Sequence, residues 1–154
     1  LNYTKLISYL CNDNHRVAFI ASWIVAESEH SCLILSDRLE HLERLMNALP
    51  RSMRENAVMV SGNMTTKKGK AERELAIEDM RSGKKKYLFA TYSLAKEGLD
   101  IPRLERLFLA TPKNDYAVIT YDFVDNIPYL VKSYKKRCTT YRKNECYFCY
   151  TEGE

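Results

Sequence analysis

A repeated alternation of short apolar runs with amphipathic stripes constrains this chain more than any other feature. The runs Ser31-Cys32-Leu33-Ile34-Leu35-Ser36, Ala57-Val58-Met59-Val60-Ser61-Gly62, Tyr87-Leu88-Phe89-Ala90-Thr91 and Arg106-Leu107-Phe108-Leu109-Ala110-Thr111 are each too short for a helix. Successive residues within them are apolar, so both faces of each strand need cover. Strands of that kind belong to a mainly parallel sheet with helices on both faces, and the spacing predicts that α/β class here. A fifth run, Tyr121-Asp122-Phe123-Val124-Asp125, predicts a fifth strand.

The stripes between the runs read as helices. Tyr3, Leu6, Ile7 and Leu10 fall on one helical face. Asn14 is placed to cap a second helix, with Val17, Ala18, Ala21, Ile24 and Val25 on its buried side. Asp37, with Glu40 three residues on, forms a capping-box arrangement. It precedes the stripe Leu39, Leu42, Leu45, Met46, Leu49, which Pro50 ends. A Lys-rich loop then leads to a helix from Ala71 to Ser82, and Gly83 stands where a left-handed cap is wanted. Pro128 opens a basic helix with Ile127, Val131, Tyr134, Cys138 and Tyr141 on one face, and Cys146 to Tyr150 reads as a last strand. One link does not fit: nine residues separate Thr111 from Tyr121, and a parallel crossover usually needs a dozen or more. Either the fifth strand is antiparallel, or residues are missing near Ile119-Thr120.

A chain of 154 residues matches one domain. The organisation expected is a single domain, 1–154, with 126–154 as a basic helical and strand extension. The missing initiator Met points to a piece of something longer. No apolar run approaches the ~18–20 residues of a membrane span, and no signal peptide is visible. The expectation is a cytoplasmic protein with no membrane partner. The five cysteines are odd in number, which favours reduced thiols. Cys138, Cys146 and Cys149 offer three metal ligands with no fourth, so no metal is expected. The net charge of +4 is modest, but six bases and no acid lie between Ile127 and Lys143. Lys135 and Lys136 stand at the centre of that stretch. Smaller acid-free clusters sit at Lys67, Lys68, Lys70 and at Arg81, Lys84, Lys85, Lys86. Such clusters suit phosphates, whose neutralisation releases counterions, or are simply solvated faces.

In a parallel sheet, ligands bind beyond the C-terminal strand ends. Those ends are Ser36-Asp37, Ser61-Gly62, Thr91 onward and Thr111-Pro112. The third is the richest: Thr91-Tyr92-Ser93-Leu94-Ala95-Lys96-Glu97-Gly98-Leu99-Asp100-Ile101-Pro102. Thr91 puts a hydroxyl at a strand tip, where a phosphate oxygen can be held. Gly98 permits a sharp reversal. Asp100, expected on the next tip, is an acceptor for a sugar hydroxyl or a metal-bound water.

With those residues in place, the chain resembles the second, C-terminal RecA-like domain of superfamily 2 (DEAD/DEAH-type) helicases and translocases. Thr91-x6-Gly98-Leu99-Asp100 is similar to that family's motif V. Leu33-Ile34-Leu35-Ser36 with the helix after Asp37 looks like motif IV. Val60-Ser61-Gly62, the basic stretch, the helix and Gly83 resemble the segment between, and Leu107 to Pro112 the strand after motif V. The likeness covers residues 15 to 125. It implies a P-loop NTPase second lobe that forms one side of an ATP cleft and of a nucleic-acid track. Thr91 would bind a nucleic-acid phosphate. Backbone N–H groups after Ser36 and around Gly62 would hold the strand. Gly98 and Asp100 would face the nucleotide, with Glu97 beside them. Catalytic residues are not expected in this piece.

Two departures stand out. No Gly-x-x-x-x-Gly-Lys-[Ser/Thr] and no Asp-Glu-x-His or Asp-Glu-x-Asp is present. ATP and Mg2+ are therefore expected only together with an N-terminal RecA-like domain of the same polypeptide. The family's Gln-x-x-Gly-Arg-x-x-Arg, with its transition-state arginine, is also absent and belongs where the fourth link is short. Two rivals remain at this stage. One is a nucleic-acid-binding module without motor function, using the helix around Lys135 and Lys136, whose interleaved Tyr129, Tyr134 and Tyr141 can stack on bases. The other is a degenerate helicase fold kept as a docking platform.

Overall fold

The computed structural model describes residues 2–62, 64–112, 119–122 and 128–143. Five strands, β1 (Cys32–Ser36), β2 (Ala57–Val60), β3 (Tyr87–Thr91), β4 (Arg106–Leu109) and β5 (Ile119–Asp122), make one sheet in the order β2-β3-β1-β4-β5. Every neighbouring pair is parallel. The helices are α1 (Tyr3–Asn12), α2 (Asn14–Ala26), α3 (Leu39–Asn47), α4 (Arg51–Arg54), α5 (Lys67–Ser82), α6 (Tyr92–Ala95) and α7 (Pro128–Lys143).

The apolar runs explain this arrangement, because alternate strand residues point to opposite faces. Ile34, Phe89 and Phe108 go to one face, where Ile20 and Ile24 of α2 and Leu42 and Leu45 of α3 cover them. Leu35, Leu88, Leu107 and Leu109 go to the other, against Ala76, Ile77 and Met80 of α5 and Leu94 of α6. The chain moves outward from β1 to β2, then reverses through β3 to β4. Right-handed crossovers in opposite directions put α3 and α5 on opposite faces. Each fully buried Leu, Ile or Phe contributes roughly 1.5–3 kcal/mol, so the two faces dominate the stability of the sheet. Leu6, Ile7, Leu10 and Cys11 of α1 form a separate small cluster.

Several local expectations are corrected. Asp13 caps α2 in place of Asn14, its Oδ1 accepting from the N–H groups of His15 at 2.9 Å and Arg16 at 3.2 Å. The helix is apolar nearly all round, so its stripe did not fix which face turns in. Val17, Ile20, Ala21 and Ile24 are buried, while Ala18 and Val25 are exposed. The Asp37–Glu40 capping box does not form. The N-cap of α3 is Arg38, without a side-chain bond, because the Asp37 N–H is drawn to Thr111 Oγ1 at 2.9 Å. The Lys-rich loop is the first turn of α5, which begins at Lys67 because Thr66 Oγ1 accepts from the Gly69 N–H at 3.0 Å. Gly83 ends α5 at φ 80°, as its position required.

β5 starts two residues earlier than expected and is parallel to β4, which removes the antiparallel alternative. β4 has four residues, so the chain need only return about 13 Å, and nine residues can reach about 30 Å without a helix. The strand expected at Cys146 to Tyr150 lies outside the described residues. On α7, Cys138 and Arg137 are buried and Tyr134 is partly buried. The Arg137 guanidinium lies 5.7 Å from the Tyr134 ring centroid, an intramolecular cation–π distance. Tyr134 is thus engaged within the fold. Cys11, Cys32 and Cys138 are free thiols.

Candidate functional site

The parallel register sets β1, β2 and β3 side by side, pairing Ser36 with Thr91 and Val60 with Ala90. Their ends wall an open cleft of about 380 Å³, lined among others by Arg38, Glu40, Gly62, Thr91, Ser93 and Lys96. At its floor Thr91 Oγ1 accepts from the Gly62 N–H at 3.3 Å and lies 3.0 Å from Ser93 Oγ. Two hydroxyls joined by one hydrogen bond keep one O–H free to donate outward. Gly62 makes this packing possible, since a Cβ there would stand 2.7 Å from Ser93 Oγ. Arg38 and Lys96 add positive charge to walls that also carry Asp37 and Glu40.

Ser36 is placed beneath this surface. It is fully buried, with Oγ 2.9 Å from His41 Nδ1 and accepting from the Arg38 N–H at 3.2 Å. The N–H groups just after it are thus engaged inside the fold, Asp37 with Thr111 and Arg38 with Ser36. Burial, followed by the charges of Arg16 and Arg44, lowers the His41 pKa to about 4, so the ring is neutral at pH 7. Its Nε2 is buried without a partner. Burial likewise pushes the neighbouring Cys11 thiol up to about 11. Tyr92 Oη donates to the Thr111 carbonyl at 2.6 Å, and Arg16 Nη1 to the Ala110 carbonyl at 2.7 Å. These bonds lock the end of β4 to the end of β3 and to α2.

The glycine bend forms a second region. Gly98 has φ 88°, and a Cβ there would meet nothing within 4 Å, so its backbone is open to close approach by a ligand. Asp100 is exposed. It does not stand on a strand tip. β4 is parallel, so after Lys96 the chain must return toward the opposite edge, and it runs beside α5, whose Arg81 Nε donates to the Asp100 carbonyl at 2.7 Å. Glu97 is paired with Arg73 Nη2 at 2.5 Å. Among the described residues no group of three His, Cys, Asp or Glu is placed to hold a metal ion.

Lys135 and Lys136 are exposed on α7, and among the described residues no hydrogen bond or ion pair joins them to the cleft. The sequence reading did not single out Ser93, Lys96 or Arg38, although Ser93 and Lys96 lie in the stretch from Thr91 to Pro102. It also missed Arg73, which carries no motif of its own, and took Arg81 only as one member of a basic cluster.

A parallel sheet with this strand order, ligand groups at its C-terminal ends and a glycine bend after the third strand is the RecA-like lobe of the P-loop NTPase class. Within that class the chain belongs to the Helicase conserved C-terminal domain family, which it matches over residues 15–138. No curated protein matches the sequence. Among solved structures, T4 UvsW is similar at TM-score 0.66 and 14% identity over 93% of this chain and 35% of that one. The C-terminal domain of S. cerevisiae Dbp5 is similar at 0.49 and 21% over 63% and 52%. The helicase domain of Pyrococcus furiosus Hef is similar at 0.45 and 20% over 62% and 18%. The chain thus spans about a third of the UvsW structure and half of the Dbp5 one. The UvsW likeness supports the fold; the other two are too loose to add to it. No helix among the described residues is long and apolar enough to cross a membrane.

Proposed function

We propose that this domain is the C-terminal motor lobe of an ATP-dependent nucleic-acid helicase or translocase, acting with an N-terminal RecA-like lobe of the same polypeptide in the cytoplasm. The observation that carries the reading is the cluster of Gly62 N–H, Thr91 hydroxyl and Ser93 hydroxyl at the strand ends, flanked by Arg38 and Lys96. An outward O–H, a neighbouring backbone and two cations suit one phosphate of a nucleic-acid backbone. Asp37 and Glu40 on the same walls oppose a broad anionic surface, which favours a single tracked strand. Gly98 and Asp100 would hold the ribose edge of ATP, with Glu97 held beside them by Arg73. Bound ATP with Mg2+ supplies the hydrolysis that changes how the two lobes sit together. This lobe's part is to grip: it holds one backbone phosphate at the strand ends while its neighbour loop meets the nucleotide. The extension at 126–154 belongs to the same domain in this reading.

Binding of a labelled single-stranded oligonucleotide tests it. Thr91→Val keeps the shape and removes the hydroxyl, and it is expected to weaken binding about tenfold, the effect of one lost hydrogen bond to a charged group. Lys96→Glu should lower affinity and also flatten its salt dependence by about one phosphate's worth. Unchanged affinity in both, with loss on reversing Lys135 and Lys136, would move the assignment to the non-motor binding module. The exposure of those two lysines is the observation that keeps that second reading.

A further inference from the structure

The loop 96–103 leaves the cleft and descends along α5, and basic side chains bridge the two at three heights. Arg73, midway along α5, donates to Glu97 Oε2 at 2.5 Å. Arg81, in its last turn, donates to the Asp100 carbonyl at 2.7 Å. The Arg103 guanidinium then folds back over Gly83, where a Cβ would stand 2.6 Å from Nη1. Gly83 therefore serves twice, as the left-handed cap of α5 and as the seat of Arg103.

The loop's own backbone bonds hold its two ends. Glu97 and Gly98 N–H groups donate to the Leu94 and Ala95 carbonyls, and the Leu104 N–H donates to the Ile101 carbonyl. Between them the Asp100 carbonyl is held by Arg81 from outside the loop. The side chain of Arg73 is 20% exposed, against 55% for Glu97, and Arg73 Nε is buried without a partner. The orientation of that guanidinium is set by Glu97 and not by competing acceptors on α5. The other end of α5 connects to the cleft: four residues separate Gly62 from Lys67, and within them the Met64 N–H donates to the Ser61 carbonyl at 3.3 Å.

We propose that α5 is a brace linking the two half-sites, and that Arg73 and Arg81 are positioning residues that set where Gly98 and Asp100 stand. The inference deepens the proposed function, and it rests on that reading for what the loop meets. A change in strand grip at Ser61–Gly62 shifts the start of α5, and a rigid helix carries the shift to Arg73 and Arg81. The two arginines hand it to the loop, one through a side-chain pair and one through the main chain.

Amide hydrogen exchange on the 154-residue chain tests the brace. Arg81→Met is expected to speed exchange roughly tenfold at Gly98 and Leu104, the amides whose backbone bonds flank the held Asp100 carbonyl, the effect of freeing a locally held segment. Amides in β1 and α2 should keep their rates. Arg81→Lys, which retains one donor, should recover part of the protection. Arg73→Glu should loosen Glu97 and Gly98, and Glu97→Arg combined with it should restore them, a rescue that a merely structural role would not give. Loop amides that do not change, acceleration spread evenly over the chain, or a charge swap without rescue would each overturn the proposal. A second measurement separates it from the reading beneath it. In a polypeptide that also carries the first lobe, Arg81→Met should raise the KM for ATP several-fold with little change in kcat. Loosened loop amides with an unchanged KM would leave the brace standing and remove the nucleotide-facing role of the loop.

Discussion

Where the strands begin, Arg106 Nε meets Glu27 Oε2 at 2.8 Å, and its Nη2 lies 3.0 Å from His30 Nε2. Glu105 Oε2 closes the ring, 3.1 Å from His30 Nδ1 and 3.2 Å from the Ser31 N–H. Beside them Tyr87 Oη donates to the Ser28 carbonyl at 2.5 Å, and Cys32, its thiol pushed up to about 12 by burial, sits against the His30 carbonyl. Where the strands end, the corresponding positions carry Thr91, Ser93, Gly62 and the buried Ser36–His41 pair. The first edge spends its polar capacity on itself through charges of both signs. The second keeps neutral donors partly free over an open cleft. Parallel strands expose unpaired backbone groups at both ends, so the difference lies in the side chains chosen. One edge is closed on itself, and the other leaves polar groups facing an open cleft.

Acid titration should break that comparison most visibly at the second edge. His41 is neutral and buried, with a pKa lowered from 6.5 to about 4. The unfolded chain therefore binds a proton below pH 6.5 that the folded one refuses. Stability is expected to fall as the pH drops from 6.5 to about 4, by about 3 kcal/mol in all, and to change no further on this account below that. Urea unfolding at a series of pH values measures it. His41→Leu should remove most of the slope in that window, and an undiminished slope would mean that another group refuses the proton.

Arg106→Met comes next and tests the first edge. Arg106 and Glu27 are 17% and 18% exposed, so removing the arginine takes a 2.8 Å cation from a largely sheltered carboxylate. A loss of about 2 kcal/mol is expected, below the figure for fully buried pairs. Thermal unfolding should register it, while oligonucleotide affinity should not move. A drop in affinity equal to that of Thr91→Val would show that the two edges are not independent.

Most of the sheet was legible in the sequence because the apolar runs at 31–36, 87–91 and 106–111 leave no alternative to two-sided burial. The bend was legible because Gly98 and Gly83 sit where only a left-handed residue is comfortable, and both have positive φ. What was not legible depended on long-range partners. Asp37 has the spacing of a capping box, but Thr111, 74 residues away, claims its N–H. Ser36 has the chemistry of a ligand and the burial of a core residue, and only the packing of α3 decides between them. Arg73 and Arg81 look like solvated helix charges until the return path of the loop brings Glu97 and Asp100 beside them. The start of β5 was misplaced for a simpler reason: Ile119, Thr120 and Tyr121 all favour strands, so propensity does not mark where the run begins, and pairing with β4 selects the earlier start.

The smallest effect expected belongs to Glu105. Its pKa is lowered from 4.5, first by the Ser31 N–H and then by the hydrogen bond to His30. A carboxylate held below its unfolded value contributes stability that is fully present above pH 4.5 and is lost as the pH falls through the folded value. The group is exposed to solvent, so added salt should shrink the contribution of its charged partners. The Ser31 N–H bond should survive salt, because it is short-ranged and made by the backbone. Glu105→Gln keeps an acceptor for that N–H and removes the charge. Its stability should match the parent at high salt near neutral pH and lack the parent's further decline below pH 4.5. This window opens at pH 4.5, where most of the His41 window has already been crossed, so a single pH series that includes both variants separates the two edges. A parent and Glu105→Gln that lose stability in parallel below pH 4.5 would show that the His30 and Ser31 contacts do not hold the carboxylate in solution.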